Sequence, residues 1–169
     1  QMLTIKMAPA TEKKQKPDEA HLGFGNYYTD NMFMIDHTEG IGWHDARIVP
    51  YHMLQIDPAA MVLHYGMESF EGLKAYRKAD GSIQLFRPDC NAERMVNTNH
   101  RMCMPALPAE DFVQAVKAIV KCEEDWVPHQ EGTSLYIRPF CIADEPHLGV
   151  RTSKHHTFMI ICSPVGAYY

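Results

Sequence analysis

Tyr136 and Arg138 are the residues of this chain whose types and spacing best suit binding chemistry, in Ser134-Leu135-Tyr136-Ile137-Arg138-Pro139. Two apart on a strand, they share one face, and Leu135, Ile137 and Phe140 can pack around them. A phenol beside a guanidinium makes a carboxylate receptor, since both donate hydrogen bonds and one is always charged. The same spacing also fits a half-exposed strand face with an arginine satisfied elsewhere. Arg94 comes next, in Arg87-Pro88-Asp89-Cys90-Asn91-Ala92-Glu93-Arg94-Met95. Its planar fork suits a phosphate, although spacing alone favours a surface arginine paired with Glu93 or Glu110. Tyr65 and Phe70 stand five residues apart in Leu63-His64-Tyr65-Gly66-Met67-Glu68-Ser69-Phe70-Glu71-Gly72-Leu73-Lys74-Ala75-Tyr76. Aromatics at such spacing are most often core. A buried tyrosine hydroxyl needs a partner, which makes Tyr65 the less ordinary of the two.

The other reactive residue types form no recognisable site. The 5 cysteines contain no C-x-x-C pair, so neither a disulfide framework nor a cysteine zinc site is expected. Nor do the 10 histidines offer an H-E-x-x-H spacing, and adjacent His155 and His156 would point to opposite strand faces. A formal charge of −5 gives no reason to expect nucleic acid as a partner. Lys13-Lys14-Gln15-Lys16 lies among Glu12, Asp18 and Glu19 and reads as a solvated run. Nothing is long and apolar enough for a transmembrane span. Lys6 and Glu12 interrupt any secretory signal, so reduced thiols and a cytoplasmic setting are expected.

Positioning such residues requires strands and helices together. The chain has 169 residues, 46% hydrophobic and 22% charged, which suits one globular domain. Residues 1–20 are polar, with Pro9 and Pro17, and read as a mobile tail. Asn31–Asp36, Arg47–Pro50, 133–142 and 156–163 read as strands. Leu73–Tyr76 and Ile83–Phe86 flank Asp80-Gly81, which predicts a tight hairpin turn. Pro88 predicts a helix start, followed by Met95, Val96, Met102 and Cys103 at helical spacing. A second helix begins near Pro108-Ala109-Glu110-Asp111 with acids at its first turn, carries the stripe Phe112, Val113, Val116, Ile119, Val120, and ends by Trp126-Val127-Pro128. The fold class is α+β, a mainly antiparallel sheet flanked by helices.

Taken in order, the Leu63–Tyr76 run, Leu85-Phe86-Arg87-Pro88 with Arg94, Tyr136-Ile137-Arg138-Pro139 and Gly166-Ala167-Tyr168 closely resemble the N-terminal half of the branched-chain amino acid aminotransferases. The resemblance spans roughly residues 21–169. It implies the fold-type IV architecture and pyridoxal phosphate as cofactor, with residues 21–165 the small domain and 166–169 the start of the interdomain loop. By resemblance Arg94 holds the cofactor phosphate. Phe24 in Gly23-Phe24-Gly25, Tyr65, Phe70, Tyr136, Arg138 and Tyr168 then border the substrate. Arg138, at the edge of an apolar pocket, would let leucine, isoleucine, valine and glutamate share one site. Leu148 and Val150, in Glu145-Pro146-His147-Leu148-Gly149-Val150, would reach across a homodimer to complete the other protomer's pocket. The family's Schiff-base lysine belongs to a second domain, and Lys74, Lys117, Lys121 and Lys154 match no such context, so this chain offers no catalytic residue. The expectation is a full-length enzyme that passes the amino group of leucine, isoleucine or valine to 2-oxoglutarate, and an inactive, self-associating fragment. D-amino acid aminotransferases and aminodeoxychorismate lyases share the fold and stay open, as does a non-catalytic dimerisation module.

Overall fold

In chain order the strands are β1 (Lys6–Met7), β2 (Asn31–Thr38), β3 (Gly42–Pro50), β4 (Glu68–Phe70), β5 (Leu73–Arg77), β6 (Ile83–Leu85), β7 (Ser134–Ala143) and β8 (His155–Val165). The helices are α1 (Met61–Tyr65), α2 (Pro88–Arg101) and α3 (Ala109–Cys122). This computed structural model describes residues 2–167. The strands form one sheet in the order β1-β3-β2-β8-β7-β5-β6, with β4 also paired to β7. Among the described residues β1 pairs with β3 in parallel and the other strand pairings are antiparallel. The α+β architecture expected from the sequence is the one observed.

The two faces of the sheet differ because β7 and β8 alternate. Leu135, Ile137 and Cys141 on β7, with Phe158, Ile160 and Cys162 on β8, are buried toward the helices. There they meet Ala92 and Met95 of α2 and Phe112, Val116 and Ile119 of α3, together with Phe33 and Ile35 of β2. Phe158 packs edge-to-face against Phe112 and Phe33, with ring centroids 5.9 and 6.2 Å apart. The opposite face carries a smaller cluster of Met32, Met34, Ile142 and Met159. Half-buried Phe140 packs against that cluster, and beyond it the face presents Tyr136 and Arg138, also half-buried.

Local signals account for the element boundaries. Pro88 occupies the first turn of α2 and Pro108 precedes α3, whose first turn holds Glu110 and Asp111. The hairpin loop is one residue longer than a two-residue turn. Lys78 N donates to Ser82 O at 2.8 Å and Gly81 N to Lys78 O at 2.9 Å, and only Gly81 takes a left-handed φ, +86°. Asp80 instead accepts from Ser82 N at 2.9 Å.

The N-terminal segment differs from the mobile tail read from its composition. Residues 6–7 add a strand to β3, and Ala8 N donates to Ile48 O at 2.9 Å. Gln114 of α3 brackets Leu3, accepting from its N–H at 2.8 Å and donating to its carbonyl at 2.9 Å. Ala10 N donates to Asn31 Oδ1 at 2.6 Å and Lys14 N to Asp30 Oδ1 at 2.8 Å. The lysine run is not simply solvated either: Lys14 Nζ donates to Thr29 O at 2.9 Å and Lys16 lies 5.2 Å from the Trp126 ring. The segment is a strap whose backbone caps two buried side chains.

Candidate functional site

The open sheet face gathers four of the residues singled out above. Arg138 Nη2 donates to Tyr136 Oη at 2.8 Å, as their shared strand face requires. The Arg138 guanidinium lies 4.5 Å from the Phe70 ring centroid and 5.3 Å from that of Tyr136, a cation held between two aromatic faces. Phe70 gets there because β4 pairs Phe70 with Phe140, two residues beyond Arg138 on the same face. Phe24 meets Tyr136 edge-to-face at 4.9 Å. A cavity of about 120 Å³ lies here, with Phe24, Tyr28, Tyr136, Arg138, Ile161 and Ser163 in its wall.

Arg94 builds the second part. Its Nε and Nη2 donate to the two carboxylate oxygens of Glu71 at 2.7 and 2.6 Å, a bidentate pair. The Glu71 side chain is 3% exposed while that of Arg94 is 68% exposed, so the acid is fixed and the arginine leans out from it. Asn91, one turn earlier on α2, donates to Glu71 Oε2 at 2.9 Å and to Gly72 O at 3.2 Å. Burial works to raise the Glu71 carboxyl, but the hydrogen bonds from Arg94 and Asn91 outweigh it and hold the group below its ordinary range. The partner is therefore neither Glu93 nor Glu110. Phe86, Arg87, Cys90, Asn91 and Arg94 line a cavity of about 200 Å³. Arg87 caps α2 with a left-handed φ of +46°, strained for a side chain of this size.

Three consecutive residues join the two parts. Phe70 stacks on Arg138, Glu71 holds Arg94, and Gly72 passes against Tyr136. A Cβ on Gly72 would stand 2.3 Å from Tyr136 Oη, so only glycine admits that close approach. Glu71 N donates to Pro139 O at 2.8 Å, which pins the bend between β4 and β5 to β7. Ser69 and Asn99 hydrogen-bond beneath it and tie β4 to α2.

The remaining candidates lie apart from this cluster or outside it. Tyr65 ends α1 and donates its hydroxyl to Leu148 O, turning to the 145–150 loop. Leu148 and Val150 are 62% and 85% exposed. Tyr168 lies outside the described residues. Two larger open grooves, about 500 and 600 Å³, flank α3 and are lined by Lys117 and Lys121; they contain none of the candidate residues. Among the described residues Asp36, His44 and Asp45 bring possible metal ligands within 4.8 Å of one another. Arg47 already pairs with Asp36 at 2.9 Å and Thr38 takes His44 Nε2 at 2.8 Å, so the trio reads as an ion-pair network. Glu71, which pairs with Arg94, and Ser163, in the wall of the 120 Å³ cavity, are neighbours of these candidates that spacing did not single out. Glu71 carried a signal as an acid inside an otherwise apolar and aromatic run. Ser163 carried one as a small polar residue in the apolar stretch 158–165.

The sequence places the chain in a known family. The chain is 56% identical to branched-chain-amino-acid transaminase 1 of Bacillus subtilis over 156 residues, which is 92% of this chain and 44% of that protein. It is 51% identical to the branched-chain-amino-acid aminotransferase of Mycolicibacterium smegmatis over 162 residues, 95% of this chain and 44% of that protein. The chain belongs to the branched-chain amino acid aminotransferase family. It spans about half the length of the curated relatives it matches. No protein-family model matches it. Solved structures agree on the fold. The branched-chain aminotransferase of Thermoproteus uzoniensis with norvaline superposes with a TM-score of 0.63 at 22% identity, covering 80% of this chain and 41% of that one. A second solved branched-chain amino acid aminotransferase, complexed with N-(5′-phosphopyridoxyl)-L-glutamate, gives 0.60 at 23% identity, covering 78% and 40%.

Proposed function

We propose that the protein containing this chain transfers the amino group of leucine, isoleucine or valine to 2-oxoglutarate with pyridoxal phosphate, and that this chain supplies the phosphate-binding and substrate-carboxylate surfaces. Family membership supports the reaction class. The observation that carries the site is the Phe70-Glu71-Gly72 bend, which ties Arg94 to the Tyr136–Arg138 pair. One solved relative holds norvaline and another a glutamate adduct, which supports aliphatic and acidic side chains as substrates within this fold.

The residues present fit the cofactor's phosphate. Glu71 takes Nε and Nη2 of Arg94, leaving Nη1, and Arg87 lines the same cavity; two guanidinium groups against one buried carboxylate leave a net positive site suited to an anion. When bound, the cofactor supplies an electron-accepting ring that makes the substrate's α-proton acidic. Tyr136 Oη and Arg138 offer donors to a substrate carboxylate, and Phe70 and Phe24 wall the pocket. An aliphatic side chain packs on those rings, while an acidic one pairs with Arg138 instead. The covalent lysine is assigned to the half of the family's length that this chain does not span. The 169 residues alone are therefore expected to be inactive. Exposed Leu148 and Val150 are assigned to a homodimer contact beside Tyr65, in a protein of the cytoplasm; no described helix is long and apolar enough to cross a membrane.

The test is glutamate formation by the full-length protein given pyridoxal phosphate, L-leucine and 2-oxoglutarate, with D-alanine as the contrasting donor. Turnover with L-leucine is expected. Turnover with the D-amino acid alone, or with neither, would overturn the reading.

A further inference from the structure

Two buried polar groups in the wall of the 120 Å³ cavity lack partners among the described residues. Ser163 on β8 is the Cα partner of Tyr136 on β7, so their side chains rise from one face with Arg138 diagonal to Ser163. Ser163 is 5% exposed. Neither its Oγ nor the Nε–H of Arg138 has a hydrogen-bond partner among the described residues. Buried polar groups are ordinarily satisfied, so two unmet ones side by side in the wall of one cavity call for an occupant.

The chemistry of the two groups specifies the occupant. An arginine Nε–H can only donate, so the occupant must accept. Arg138 Nη2 is already given to Tyr136, and no carboxylate of the described residues lies within ion-pair distance of Arg138. Of the described residues lining the cavity, Arg138 alone carries a full charge. A water molecule would meet the hydrogen bonds and leave that charge uncompensated in a largely apolar wall. The cavity is several times the size one water needs. A carboxylate meets both demands.

We infer that Ser163 is a substrate-binding residue whose hydroxyl, beside the Nε–H of Arg138, receives a carboxylate of the substrate. This rests on the aminotransferase reading, which supplies two sources: the α-carboxylate common to all substrates and the distal carboxylate of 2-oxoglutarate.

The experiment compares wild type, Ser163→Ala and Ser163→Thr in the full-length protein, recording kcat and KM for leucine and 2-oxoglutarate separately. Ser163→Ala is expected to raise KM about tenfold with little change in kcat, in keeping with loss of a hydrogen bond to a charged group. Ser163→Thr, which keeps the hydroxyl, restores it. A rise confined to 2-oxoglutarate assigns the distal carboxylate, and a rise for both assigns the α-carboxylate. Unchanged KM values, or a matched fall in kcat and melting temperature without a KM effect, overturn the proposal. Direct calorimetric titration with glutarate needs no turnover, so it separates this inference from the aminotransferase reading. Weaker glutarate binding in Ser163→Ala supports Ser163 even if leucine is not a substrate, and equal binding refutes it.

Discussion

Arg94 illustrates how one buried carboxylate sets the direction of an exposed cation. Glu71 stays ionised because Arg94 and Asn91 hold it below the ordinary carboxylate range against its burial, while Glu71 in turn raises the Arg94 guanidinium. By the sign of that shift, the stability Glu71 lends is present above the usual carboxylate range and is lost as pH falls below it. Gly72 gives a sharper test. We expect Gly72→Ala to displace Tyr136, costing about 1–3 kcal/mol by overpacking and raising KM for 2-oxoglutarate about tenfold through the lost Tyr136 hydrogen bond. Steady-state kinetics and urea denaturation of the full-length variant check this, and wild-type behaviour in both contradicts it. Tyr136 and Arg138 were legible in the sequence, since a two-residue spacing on a strand fixes their shared face. The partner of Arg94 was not, because it lies 23 residues away across a sheet-to-helix packing that no local pattern encodes.

Among the elements, the strap along residues 2–20 departs most from its composition. Its polar residues and prolines gave no sign of anchoring, because backbone groups do the anchoring: Ala8 to Ile48, Ala10 to Asn31, Lys14 to Asp30. Asp30 also accepts from Trp126 Nε1 at 2.8 Å and is 4% exposed. Deleting residues 2–16 strips partners from Asp30 and Asn31, each loss worth about 1–3 kcal/mol when a buried acceptor is left unmet. We expect destabilisation of about 3 kcal/mol, seen in urea denaturation followed by tryptophan fluorescence. No change in midpoint would contradict the strap's role. Helices α2 and α3 were legible because a proline start and a 3.6-residue apolar stripe are local features. The two-residue β1 and five-residue α1 were not, being shorter than any period can reveal.

For the molecule as a whole, the core makes it sensitive to acid. His156 is 1% exposed, and burial, with His37 beside it, pushes its pKa down to about 4 from an ordinary 6.5. Between those values the unfolded chain binds a proton that the folded one refuses. The stability that depends on a neutral His156 is therefore full above about pH 6.5 and falls by about 3 kcal/mol as pH approaches 4. Urea midpoints across that window should show the slope, and His156→Leu should flatten it; an unchanged slope would exclude His156 as its source. The α+β architecture was legible in the sequence at this scale, because a hairpin signal and the lack of regular β-α-β alternation pointed to a mainly antiparallel sheet with helices. The meeting of Phe70 with Arg138, Glu71 with Arg94 and Gly72 with Tyr136 became visible only in three dimensions. That meeting is the central claim, and the two half-reactions of the full-length protein test it most directly. With pyridoxal phosphate bound, we expect both leucine and glutamate to donate their amino groups, and Arg138→Leu to slow the glutamate half-reaction far more than the leucine one. An equal effect on both, or no reaction with either, would contradict the account.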